Sequence, residues 1–131
     1  YILIQIIAAV LGTLFAKYIF GLNVIEISSN IRSGANIYIS EFFAATGLLL
    51  VILLSRADGK NVVSFNVGIY ITAALIFTSS TSFANPAVTI ARMFTESFTG
   101  INPSTVIFFI SCQVIGMFAA YILYNQFFKS K

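Results

Sequence analysis

Asn85-Pro86-Ala87-Val88-Thr89-Ile90-Ala91-Arg92 is the stretch on which the reading of this chain turns. It follows an apolar run and the small, polar stretch Thr78-Ser79-Ser80-Thr81-Ser82. An Asn-Pro pair reads as a helix start: Asn caps the end, and Pro fits the first turn, where no N–H partner is needed. Here the helix begins inside an otherwise apolar chain. A helix N-terminus at bilayer depth carries unpaired N–H donors and a partial positive charge. Irregular backbone at that depth is tolerated only where it is buried in protein or lines a water-filled cavity. The segment is therefore a candidate pore or binding site.

Composition places the chain in a lipid bilayer. It is 59% hydrophobic and only 8% charged, with mean hydropathy +0.98, whereas soluble domains run near 25% charged. There is no His, no Trp and one Cys, and the acidic residues are Glu26, Glu41, Asp58 and Glu96. That inventory excludes most metal sites, Ser-His-Asp or Cys-His nucleophile pairs and most paired-carboxylate chemistry, so neither an enzyme nor a bound cofactor is expected. Cys112 lies in an apolar run and reads as a small packing residue. The net charge of +3 does not point to nucleic acid, because Lys and Arg sit at segment ends rather than along one face.

The expected fold class is an all-α membrane protein forming a single domain over 1–131. Four spans are expected, at about 1–22, 36–55, 62–80 and 104–128, with a half-helix over 85–95. The half-helix is too short to cross ~30 Å of hydrocarbon and must enter and leave on one side, or dock against another half-helix. Arg56 and Lys60 share one short loop, and Lys129 and Lys131 close the chain. Two spans and a re-entrant segment separate the clusters, so both face the same side. The other side has Arg32, offset by Glu26. The positive-inside rule makes the cation-rich side, and the C-terminus, cytoplasmic.

There is also an internal echo. Tyr1 to Gly12 resembles Phe108 to Ala120: each places a lone Gln, Gln5 or Gln113, in an apolar helix with small residues a turn later. Small residues allow close packing where the hydrophobic effect does not drive association. The first span runs outward and the last inward, the signature of an inverted repeat, although two apolar helices can also match by chance.

Taken together, the Asn85-Pro86-Ala87 motif between two spans, the Glu-initiated stretch Glu41-Phe42-Phe43-Ala44-Ala45-Thr46-Gly47 and the two Gln-bearing helices resemble the aquaporin–glycerol facilitator (major intrinsic protein) family. The resemblance covers essentially the whole chain, as that family's third to sixth spans and second half-helix. It implies a bundle in which two half-helices meet at the centre, usually as a homotetramer in the cell (inner or plasma) membrane. The family's first two spans and first half-helix would lie before Tyr1, so a fragment of a longer protein is expected.

The resemblance also implies roles. The Asn85 amide would donate to a solute oxygen at mid-membrane, held in place by Pro86 and the cap; the plainer alternative is a helix cap alone. The half-helix dipole would oppose cations. Glu41 would accept hydrogen bonds from the loop carrying the half-helix, because a carboxylate in a span is expensive unless partnered; the alternative is an interfacial charge. Thr46 and Gly47 serve packing. The family's filter Arg is replaced by Val88, and Ser82 and Ala73 (or Leu75, if the segment is shortened) take the other filter positions. The filter is then wider and less charged than a water filter. Arg92, one turn after Val88, either reaches back to the pore mouth, partly replacing the missing Arg, or is an interfacial Arg that snorkels outward or pairs with Glu96.

A Val-substituted, Ser-rich loop resembles the bacterial branch associated with arsenite and similar small uncharged hydroxides. Glycerol, urea, ammonia and water stay open as the small neutral solute. Two other readings stand beside the passive channel: half of a secondary transporter, for which Glu41 is the titratable acid within the spans, and a non-conducting fragment.

Overall fold

Local stop and start signals delimit the elements. The computed structural model describes residues 1–56 and 59–129. Ala57 and Asp58, like Ser130 and Lys131, lie outside the described residues, so the charge reading there rests on Arg56, Lys60 and Lys129. The first helix, α1 (Ile2–Ile19), ends in a Schellman motif. Gly21 at φ 65° lets its own N–H reach the Tyr18 carbonyl and the Leu22 N–H reach Lys17, at 3.1 and 2.9 Å, which satisfies carbonyls the helix would otherwise orphan. Then come α2 (Ala35–Ser55) and α3 (Lys60–Phe77). Helix α3 stops before the expected boundary at 80. The Thr78 hydroxyl and N–H both turn back to the Ala74 carbonyl, and the Ser79 N–H goes to Ser40 Oγ at 3.0 Å instead of extending the helix.

The half-helix α4 (Pro86–Ala91) continues as a single 3₁₀ turn over Arg92–Phe94 before Thr95 becomes extended. At ~1.5 and ~2 Å rise per residue, the two pieces together reach about 15 Å, half a bilayer. The last helix, α5 (Pro103–Leu123), runs on through a wider π-type turn, Tyr124–Phe128. It starts by the same chemistry as α4: Asn102 caps it and Pro103 takes its first position. Among the described residues, the helices long and apolar enough to cross a membrane are α1, α2, α3 and α5 with its extension. The fold is an all-helical membrane bundle, and no strand occurs among the described residues.

Helix α2 packs most extensively on α5, and small residues make that possible. A Cβ on Gly116 would strike the Phe42 carbonyl oxygen, so the two backbones touch. The Thr46 hydroxyl sits between them, 2.7 Å from Phe42 O and 3.1 Å from Gly116 O. Helix α3 leans on α2 through Tyr70, whose ring lies over Gly47 and whose hydroxyl donates to Ala44 O at 3.0 Å. The half-helix α4 sits between α1 and α5. Beside it lies a cluster of Phe83, Ile101, Val106 and Phe109, with Tyr38 and Val88 against it.

Two connectors at one end of the bundle, 20–34 and 95–102, are sewn together. Ser28 N–H donates to Met93 O and Asn102 N–H to Asn30 O, both at 2.8 Å. Ser29 donates from its N–H and its hydroxyl to the Glu96 carboxylate. Lys17, buried in the last turn of α1, donates to Glu26 and to the Phe94 carbonyl, both at 3.0 Å. The latter contact places a cation on the C-terminal end of the 3₁₀ turn, where the helix dipole favours it.

Candidate pore-lining site

The chain between α3 and α4 is held in a conformation it would not choose. Thr81, Ser82 and Ala84 have φ of 63°, 46° and 51°, a region that costs residues other than Gly roughly 1–3 kcal/mol each and persists only when surroundings dictate it. Glu41 dictates it. Its side chain is 0% exposed, and its two oxygens accept the Phe83 and Ala84 N–H groups at 2.8 and 3.0 Å. Gln113 of α5 donates from Nε2 to Glu41 at 2.6 Å and to Thr89 Oγ1 at 2.8 Å. The Thr89 hydroxyl donates in turn to the Asn85 carbonyl at 3.0 Å. Helices α2, α4 and α5 thus converge on one loop through a fully partnered buried network, the arrangement that rigidifies rather than destabilises.

The network aims Asn85. Its Oδ1 accepts the Ala87 N–H at 2.8 Å, and Pro86 fills the first helical position. Capping therefore consumes the oxygen, and Nδ2 has no hydrogen-bond partner among the described residues. Asn85, Pro86, Ala87 and Ala84 line one side of a recess of about 390 Å³. Gln5 is the other polar contributor; the rest of the wall is apolar, from α1, α2 and Met117 of α5. Such a site, with an apolar wall and a few placed polar groups, suits a small solute.

Ser82 is 4% exposed, and its Oγ, like Thr81 Oγ1, has no hydrogen-bond partner among the described residues. Val88 lies half-buried against the Phe83 cluster, on the same short helix. Arg92 turns back across α4: its guanidinium carbon is 4.4 Å from the centre of the Phe83 ring. It does not pair with Glu96. The helix tightens at Arg92 and Thr95 is extended, so the i+4 spacing is broken, and Ser29 holds the Glu96 carboxylate. Ala73 stands apart. It is exposed on α3 and lines shallow apolar recesses with residues of α3 and α2 alone. Leu75 is exposed as well.

Two participants were not legible beforehand. Gln113 carried a signal, an amide in an apolar helix, but nothing local named Glu41 and Thr89 as its partners. Arg32 carried almost none, being one cation in a polar connector. It is 7% exposed and donates to three carbonyls: Gly100 at 2.8 Å, Ser80 at 3.0 Å and Phe98 at 2.6 Å. Burial pulls its guanidinium below the usual value, with the Glu41 carboxylate opposing that pull; an Arg stays protonated regardless.

Four long apolar helices around a short, polar-braced helix define a multi-pass membrane protein. The sequence is 41% identical over 123 residues to the aquaglyceroporin AqpS of Rhizobium meliloti (strain 1021), a match that covers 94% of this chain and 53% of that protein. This chain belongs to the aquaporin–glycerol facilitator (major intrinsic protein) family. It spans about half the length of the curated relative it matches. No protein-family profile matches it, and no solved structure does.

Proposed function

We propose that the full-length protein is a passive channel for small uncharged solutes, and that the recess beside Asn85 is one wall of its pore. The observation that carries this reading is the Asn85 amide: its oxygen is committed to the cap, its Nδ2 has no partner among the described residues, and three helices hold it beside an apolar recess. A neutral hydroxylated solute entering there exchanges water hydrogen bonds for those of Asn85 Nδ2 and the Gln5 amide on the facing wall. A cation meets the positive end of the half-helix instead. Glu41 already accepts from Phe83, Ala84 and Gln113, which leaves it poorly suited to carry a coupling ion and favours the channel over a transporter half.

Val88 makes the outer constriction apolar and packs inward. Solutes larger than water, of the glycerol or arsenite-like hydroxide type, fit that wall, and the name aquaglyceroporin borne by the relative agrees with it. We place the C-terminus in the cytoplasm of a cell with this protein in its inner or plasma membrane. Support comes from the short loop that holds Arg56 and Lys60, with Asp58 between them, and from Lys129 and Lys131 at the C-terminus, because the rule counts Lys and Arg in short loops and acidic residues weigh little. A homotetramer is the expected assembly.

The test is stopped-flow light scattering on proteoliposomes of the full-length protein, with water, glycerol and arsenite gradients. Wild type passes glycerol or arsenite without saturation or dependence on ion gradients. Val88→Arg lowers that flux relative to water on the order of tenfold, the effect of ~1.4 kcal/mol of added barrier. Water-only permeation by wild type would refute the wide filter, and saturable, proton-linked uptake would refute the channel.

A further inference from the structure

We infer that Arg32, from the connector between α1 and α2, is a positioning residue: it holds Thr81, and through it Ser82, in the left-handed conformation that keeps this loop out of the solute's way. The inference rests on the channel reading above. Three residues of the loop are left-handed, Thr81 at φ 63°, Ser82 at 46° and Ala84 at 51°. Thr81 is the least suited of them, because its Cβ is branched. The Glu41 carboxylate takes the N–H groups of Phe83 and Ala84. It thereby fixes the peptide planes on either side of Phe83, and it bonds to no group of Thr81.

The plane ahead of Thr81 is held by Arg32 instead. A peptide unit is planar, so the Ser80 carbonyl and the Thr81 N–H turn together. Arg32 Nη1 donates to that carbonyl at 3.0 Å, whereas the N–H makes only a long bond, 3.3 Å, to the Thr78 carbonyl. Half a turn of this plane would carry Thr81 into the extended region that a β-branched residue prefers, and would break the bond to Arg32. The guanidinium is anchored from the other side. Its Nε and Nη2 donate to the Gly100 and Phe98 carbonyls at 2.8 and 2.6 Å. Gly100 is in turn wedged where a Cβ would strike the Thr95 carbonyl and Ser28 Oγ. Arg32 thus passes the fixed position of the connector after the half-helix to the loop before it. A planar fork spans both at once, which the point charge of a Lys on its flexible stem does not reproduce. Once released, the loop shifts beside the recess that Ala84 and Asn85 line, and a larger solute is obstructed before a smaller one.

The experiment measures glycerol and water permeability, above that of protein-free vesicles, on proteoliposomes of the full-length protein. Wild type is compared with Arg32→Gln, Arg32→Lys, Thr81→Gly and the double variant Arg32→Gln with Thr81→Gly. The ratio of the two permeabilities does not depend on how much protein is folded, so a merely structural role leaves it unmoved. The glycerol-to-water ratio falls about threefold or more in Arg32→Gln and in Arg32→Lys. It stays at the wild-type value in Thr81→Gly and returns to that value in the double variant, because glycine adopts positive φ without a clamp. A ratio unaltered in Arg32→Gln, an Arg32→Lys that matches wild type, or a double variant no better than Arg32→Gln overturns the inference. Should Arg32→Gln fail to fold, Arg32→Lys with and without Thr81→Gly decides by the same rule. Wild-type vesicles that pass neither solute would fell the channel reading and this role with it, an outcome distinct from a conducting wild type with unaltered Arg32 variants.

Discussion

Glu41 has no cation to neutralise it at salt-bridge distance among the described residues, yet it lies fully buried in a chain whose surroundings are hydrocarbon. Three N–H donors compensate, and each bond to a charged acceptor is worth roughly 1.5–3 kcal/mol. Substituting Glu41→Ala leaves the Phe83 and Ala84 N–H groups unpartnered, at ~1–3 kcal/mol each, while Gln113 keeps only its bond to Thr89. The full-length variant should unfold at a markedly lower temperature in detergent and lose solute flux as the loop abandons its left-handed residues. Glu41→Gln keeps one acceptor oxygen while turning an NH2 towards the donors, so its loss should be intermediate. Thermal unfolding of both variants at the wild-type temperature would show that the loop holds its shape without the brace.

Between elements, α2 and α5 set the frame on which that brace hangs, because Glu41 and Gln113 meet only if the two backbones are close. Gly116 is a point of close approach, with the Phe42 carbonyl oxygen where its Cβ would press. Gly116→Ala should cost within the ~1–3 kcal/mol typical of overpacking, and Gly116→Val more than Ala, since helices in lipid gain their affinity from close packing. The decisive readout is order: stability falling from Gly to Ala to Val, with solute flux falling alongside. Equal stability across the series would mean that α2 and α5 are not pressed together at this point. The half-helix itself is too short to hold shape alone, so its conformation depends on Asn85, Thr89 and the helices around it.

Across the whole molecule, the two connectors at one end of the bundle form a hydrogen-bonded cap whose exposed member is the Ser29–Glu96 pair. Two hydrogen bonds from Ser29 hold the Glu96 carboxyl below its ordinary value of 4.5, with Lys17 adding a smaller pull in the same direction and partial desolvation opposing both. A carboxyl with a depressed folded value stabilises the fold above its unfolded value, and that contribution disappears as pH falls through the folded one. Acidification below about 4.5 should therefore loosen 24–32, seen as faster hydrogen exchange there after correction for the intrinsic rate. Glu96→Gln should remove that acid step, and its persistence in the variant would assign the step to another group. The effect is local, because the pair faces solvent.

The architecture was written locally. Apolar length marked the crossing helices, and Asn followed by Pro marked the start of α4, because capping and a missing N–H act within a few residues. The need of an intramembrane carboxylate for partners pointed to Glu41 before any contact was known. What the residues could not disclose is what arrives from far along the chain. Gln113 reaches Glu41 across 72 positions and Arg32 reaches Gly100 across 68, and no periodicity carries such pairings. The end of α3 at Phe77, the turn of Arg92 towards Phe83 rather than Glu96, and the placement of Ala73 away from the loop were likewise settled by packing. Sequence specifies donors, acceptors and apolar lengths; only the folded bundle decides which of them meet, because that depends on the distance between helices and not on the distance between residues.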